Sequence, residues 1–201
     1  MDLAVFATAF LLIAPVELPD KTFVATLVLA TRYRPLPVWL GVTAAFFVQC
    51  LVAVTAGTLL TLLPHRWVQA GAALVFAIGA VVLFFGARRA DAEEAEQEQE
   101  YAAKVRDGRR GWRAAATSFV VLFTAEWGDL SQLLSVGLVA RYGEPIEVFA
   151  GSFLALAAVA GLAVLLGRVL VRRIRLALVN YVGSLVCAVL AVVTAVTLFT
   201  G

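Results

Sequence analysis

The stretch APVELPDKTFVATLV, Ala14 to Val28, sets Glu17, Asp20, Lys21 and two prolines inside an otherwise apolar run. A related stretch, EWGDLS, begins at Glu126. Aligning the two matches Glu17 with Glu126, Asp20 with Asp129, Thr22 with Ser131, Arg32 with Arg141 and Tyr33 with Tyr142. Each pair lies 109 positions apart. A constant offset over such a span reads as an internal repeat.

The rest of the chain explains why this motif is unusual. Of 201 residues 62% are hydrophobic, above the roughly 45 to 50% of soluble domains, and the mean hydropathy is +0.94. Six apolar runs are each long enough to cross a hydrocarbon core as a helix: Leu3–Ala30, Leu36–Leu63, Trp67–Ala87, Ala114–Ala140, Ile146–Val171 and Leu176–Thr200. They are continuous rather than alternating, which argues against a barrel of strands. The expected fold is an all-α integral membrane protein with six transmembrane helices. The amino terminus lacks the basic region and cleavage site of a signal peptide, so the first run is expected to be a retained helix.

Three parts follow: a first three-helix repeat over 1–87, a charged linker over 88–113 and a second three-helix repeat over 114–201. An odd number of helices per repeat inverts the second copy relative to the first, the plan of many secondary transporters. The linker is acidic in its first half and basic in its second. It reads as a solvated tether without the glycine and ligand spacing of a calcium-binding loop.

Basic residues set the orientation. Thirteen of the 16 lie in the loops after the first, third and fifth helices, namely Arg32 and Arg34, seven from Arg88 to Arg113, and four from Arg168 to Arg175. Arg66 and Arg141 lie on the other side. By the positive-inside rule the crowded loops are cytoplasmic and both termini lie outside, in a multi-pass protein expected in a bacterial plasma membrane.

With Glu147, at the edge of the fifth run, read as lying in or beside an outer loop, four acidic residues remain within the predicted spans, and all belong to the repeated motif: Glu17, Asp20, Glu126 and Asp129. A central charge costs about 2.5 to 3.5 kcal/mol on an insertion scale, so four facing lipid would cost about 10 kcal/mol or more. They are therefore expected to face one another, a cation or water. The i, i+3 spacing in each pair predicts both carboxylates on one helix face. Pro15 and Pro19 predict a kink or opening of the first helix at the motif, freeing carbonyl oxygens. In the second copy Gly128 stands in place of Pro19 and allows close backbone approach. Lys21, at i+4 from Glu17, is one counter-ion for four acids, and Leu130 occupies the equivalent second position.

The donors near the motif are all oxygens: four carboxylates, the Thr22 and Ser131 hydroxyls, the Gln132 amide and any freed carbonyls. Such a set suits calcium, magnesium or manganese better than copper or zinc. Cys50 and Cys187 lack metal-ligand spacing and read as small buried apolar side chains, and His65 reads as an interfacial residue. Gln49 and Asn180, polar in otherwise apolar helices, are candidates for lining a pathway or for helix–helix hydrogen bonds.

At these residues the sequence resembles the Gdt-type cation/proton exchangers, which include Golgi calcium/manganese transporters and bacterial manganese exporters. Their hallmark is Glu-x-Gly-Asp-(Lys or Arg)-(Thr or Ser), occurring twice in two inverted three-helix halves; here it reads ELPDKT and EWGDLS. The resemblance implies that Glu17, Asp20, Glu126 and Asp129 bind the cation, with Thr22 and Ser131 assisting. Pro19 and Leu130 depart from the pattern.

The function expected is exchange of manganese or calcium for protons, with export from the cytoplasm and the metal as cargo rather than cofactor. Protons and a divalent ion would compete for the same oxygens. The partners are then the ion, protons and the lipid bilayer, with no nucleic acid; a homodimer is left open. An exporter of a cationic organic solute is the nearest rival, but an amino acid would also need a partner for its carboxylate. A membrane-embedded hydrolase fits less well, since EWGD lacks the first glycine of an aspartyl-protease motif and neither copy carries a phosphate-binding arginine.

Overall fold

A computed structural model describes residues 2–18, 20–86, 111–125, 127–173 and 176–200. Eight helices run in chain order among them: α1 Leu3–Glu17, α2 Lys21–Arg32, α3 Pro35–Leu60, α4 His65–Gly86, α5 Trp112–Ala125, α6 Leu130–Tyr142, α7 Pro145–Arg173 and α8 Leu176–Thr200. No strand occurs among the described residues. Residues 88–110, nearly all of the charged linker, lie outside them.

The helix ends follow local chemistry. The Asp2 carboxylate accepts from the amides of Ala4 and Val5 and so caps α1, as short polar side chains do at orphan N–H groups. Arg34 is extended before Pro35, the first residue of α3, where a missing N–H costs nothing.

Among the described residues, three segments are long and apolar enough to span a membrane: α3, Arg66–Phe85 of α4 and Pro145–Leu165 of α7. A fourth is the pair α1 and α2, bent by 67°. The bend corrects one detail of the expected kink. Pro15 lies inside α1, and the Leu18 amide still reaches the Ala14 carbonyl at 3.2 Å. The helix therefore passes through the first proline and breaks only after Glu17. The run from Ala114 to Ala140 is likewise divided, into α5 and α6.

The surface carries large apolar residues, among them Leu74, Leu165 and Leu185, each more than half exposed. The interior mixes Leu and Val with Ala, Ser, Thr and two carboxylates, Glu17 and Glu147. Lipid does not penalise outward leucines, and small or hydroxylated residues let helices approach within the bundle. Two contacts use this closely. A Cβ placed at Gly41 of α3 would sit 2.1 Å from the Ala115 carbonyl oxygen of α5, and one at Gly151 of α7 would sit 2.5 Å from that of Phe6 in α1.

Helix pairing has a regular pattern. Alpha-1 packs on α7 as α5 packs on α3, and α2 touches α7 as α6 touches α3. The α2–α3 contact has its counterpart in α6–α7, and α1–α6 in α2–α5. Alpha-3 with α7, and α4 with α8, join equivalent helices directly. Among the described residues, the α4–α6 and α1–α8 contacts lack a partner of similar extent.

Candidate metal site

Both motif copies fall at a break between two helices. Glu17 is the last residue of α1, and Asp20 stands just before α2. The Asp20 amide donates to the Glu17 carbonyl at 3.2 Å, and its own carbonyl accepts from Phe23 and Val24, opening α2. Asp129 holds the same place before α6: its backbone is extended, its carbonyl accepts from Leu133 at 3.1 Å, and its side chain makes no capping hydrogen bond. Glu17 and Asp20 therefore do not share a helix face, as their spacing suggested. They flank a turn, because the helix that would have aligned them ends between them.

The breaks bring the acids together. One carboxylate oxygen from each of Glu17, Asp20 and Asp129 lies within 4.8 Å of the other two. Glu17 is fully buried, whereas Asp20 and Asp129 are half-buried. Two ionised carboxylates at such a distance repel by about 3 kcal/mol at an effective dielectric near 20. Opposite oxygens around a bound calcium ion stand about 4.6 to 5.2 Å apart, since each bond is about 2.3 to 2.6 Å. The carboxylate spacing is thus that of one coordination shell.

Neighbouring polar groups hold this arrangement. Thr22, in the first turn of α2, donates from Oγ1 to Glu17 Oε2 at 2.8 Å. Gln132 accepts at Oε1 from the Gly128 amide at 2.9 Å, so this side chain steadies the second break. Gly128 has φ +78°, a left-handed conformation closed to proline and strained for other L-residues. Gln49 of α3 donates from Nε2 to the Phe123 carbonyl at 2.8 Å. It thereby satisfies one of the last carbonyls of α5, which have no helical partner. Ser131 is buried in the first turn of α6.

Glu126 and Pro19 lie outside the described residues, as do the side chains of Lys21, His65 and Asn180. Arg141 and Glu147 flank the loop between α6 and α7: Arg141, in the last turn of α6, donates to Thr194 of α8, and Glu147 is buried in the first turn of α7.

The chain matches the family described as divalent cation/proton antiporter GDT1 over residues 5–91 and 114–201. It belongs to that family. A GDT1-like protein of Synechocystis is 33% identical over 200 residues, covering 96% of this chain and 97% of that protein. Chloroplastic PAM71 of Arabidopsis thaliana is 30% identical over 213 residues, covering 97% of this chain. The chain spans 57% of PAM71's length, and 61% of a chloroplastic GDT1-like protein 1 of Oryza sativa subsp. indica that is 31% identical. No solved structure matches. As a GDT1 member the protein is a transporter rather than an enzyme, and divalent cations are its cargo, not a cofactor.

Proposed function

We propose that the protein exports manganese or calcium from the cytoplasm in exchange for protons, using one site between two inverted three-helix repeats. The observation that carries this reading is the convergence of Glu17, Asp20 and Asp129 within 4.8 Å, from two separate helix breaks. Glu126 completes the acid set in this reading, Thr22 and Ser131 support it with hydroxyls, and Gln132 steadies the second break. The compact, oxygen-only donor set favours a hard divalent ion over an organic cation.

Six spans result if α1 with α2, and α5 with α6, each cross as a broken helix. The exchange pattern of helix contacts favours two equivalent halves, and the family match also falls into two stretches, omitting 92–113. Broken helices meeting near the bilayer midplane suit a transporter whose halves rock about a central site. The excess of basic residues in alternate loops places the linker in the cytoplasm and both termini outside. The membrane in this reading is a bacterial plasma membrane.

The shared oxygens supply the coupling. Protons neutralise the acids when no metal is bound, and a divalent ion displaces them on binding. Purified protein in liposomes should take up manganese or calcium, faster with an imposed proton gradient and with measurable counterflow of protons. Flux that ignores the gradient, or absence of flux for both ions, would overturn the proposal.

A further inference from the structure

Hydroxyl residues continue past the acid site along both emerging helices. One turn beyond Thr22 stands Thr26, and one turn beyond Ser131 stands Ser135; both are buried and are again 109 positions apart. The same separation relates Thr43 of α3 to Ser152 of α7. These residues occupy equivalent places, but their hydrogen bonding differs. Ser135 Oγ donates to the Ser131 carbonyl at 2.9 Å and lies 3.1 Å from Ser152 Oγ, joining α6 to α7. Thr43 Oγ1 is buried and makes no hydrogen bond.

Beside the closed pair lies a cavity of about 10 Å³, lined by Gln49, Ser131, Gln132 and Ser135 among others. This is room for about one water molecule and too little for a hydrated ion. Gln132 also holds the Gly128 amide, so the cavity begins where the acid site ends. Alpha-2 and α6 both lead away from the breaks, and in inverted halves they lead to opposite membrane faces.

We propose that Ser135–Ser152 and Thr26–Thr43 are the two gating contacts of the antiport cycle, one on each side of the acids and closed in alternation. The proposal rests on the inverted-repeat transport reading above. The state described has the serine contact closed and Thr43 released. Exchanging the conformations of the halves closes the threonine contact and parts the serines. A single neutral hydrogen bond biases a two-state equilibrium by roughly three- to tenfold, enough to favour a state and weak enough to break in each cycle.

The test begins with a Cys50→Ala, Cys187→Ala background in liposomes, whose flux is measured first. Absence of manganese and calcium flux here and in the wild type sinks the transport reading itself. Given flux, Ser135→Cys with Ser152→Cys, and Thr26→Cys with Thr43→Cys, are oxidised with copper phenanthroline. Each disulfide should stop transport reversibly while leaving manganese affinity within about twofold. In the four-cysteine variant, molecules carrying both disulfides should be absent by mass spectrometry. Transport at the unlinked rate with the Ser135–Ser152 bond formed, or both bonds in one molecule, would overturn the gates. Should cysteines impair folding, Ser135→Ala and Thr26→Val serve instead. Turnover changed at least threefold at unchanged manganese affinity supports gating, whereas unchanged turnover, or an affinity change alone, overturns it.

Discussion

The Thr22 hydroxyl, at the start of α2, donates to the Glu17 carboxylate that ends α1 across 2.8 Å, spanning the break that divides the first predicted span. One short bond thus fixes the most buried of the three described acids. Thr22→Val keeps the side-chain shape and removes the donor. Hydrogen bonds to charged groups contribute about 1.5 to 3 kcal/mol, so manganese affinity should fall by about tenfold or more in titration calorimetry, with the helical circular-dichroism signal unchanged.

Crowded acids make the empty site unstable. Glu17→Gln and Asp129→Asn should each reduce transport to below about a tenth of wild type. Each should also raise the thermal midpoint of the metal-free protein, because one member of a repelling set within 4.8 Å is removed. Saturating manganese should stabilise the wild type by about 2.7 kcal/mol at a hundred times its dissociation constant, and the variants by much less. A variant that melts lower than wild type without metal would speak against repulsion at the site.

Metal binding should weaken as pH falls, because the ligand carboxylates bind metal in their ionised form. The slope of log Kd against pH is then negative, and its magnitude counts the protons released per ion bound. A slope between about minus one and minus two is expected for two positive charges entering the acid set. Equilibrium titrations from pH 5 to 8 give this number directly, and a slope of zero would leave antiport without a shared site.

The glycine contacts carry the packing. Gly41→Ala and Gly151→Ala force a methyl group against the Ala115 and Phe6 carbonyls, which lie 2.1 and 2.5 Å from the added atom. Overpacking of this kind costs about 1 to 3 kcal/mol. Gly71→Ala, with nothing within 4 Å, should be neutral or slightly stabilising. Thermal unfolding in one detergent compares all three.

Orientation is open to a labelling experiment. Cysteines at Leu62 and Glu144, both exposed, should react with an impermeant thiol reagent in intact cells, whereas one at Ala92 should react only after permeabilisation. The reverse pattern would invert the proposed direction of transport.

The acids were legible in the sequence because a carboxylate in an apolar run is costly, so Glu17 and Asp20 stand out wherever the helix ends. Their mutual geometry was not, since i, i+3 spacing describes a continuous helix and α1 stops between them. Proline was an incomplete guide: Pro15 is absorbed in α1, and the second copy breaks at Asp129 with no proline in EWGDLS. Ser135 and Ser152 left no periodic signal, as short hydroxyls are common in membrane helices. Only their separation from Thr26 and Thr43, the same as that of the acids, could have singled them out. The partner of Arg141 was not legible either, since its long side chain reaches inward from the last turn of α6 to Thr194 of a distant helix.

Gly128 makes the second break selective for handedness. At φ +78° an L-residue brings its Cβ against the backbone, while a D-residue would be at ease. Duplicating the first motif, so that the chain carried ELPDKT twice, would therefore put a ring where the backbone turns the forbidden way. The two copies have diverged past interchange: a symmetric protein built from two identical halves must take its break from EWGDLS.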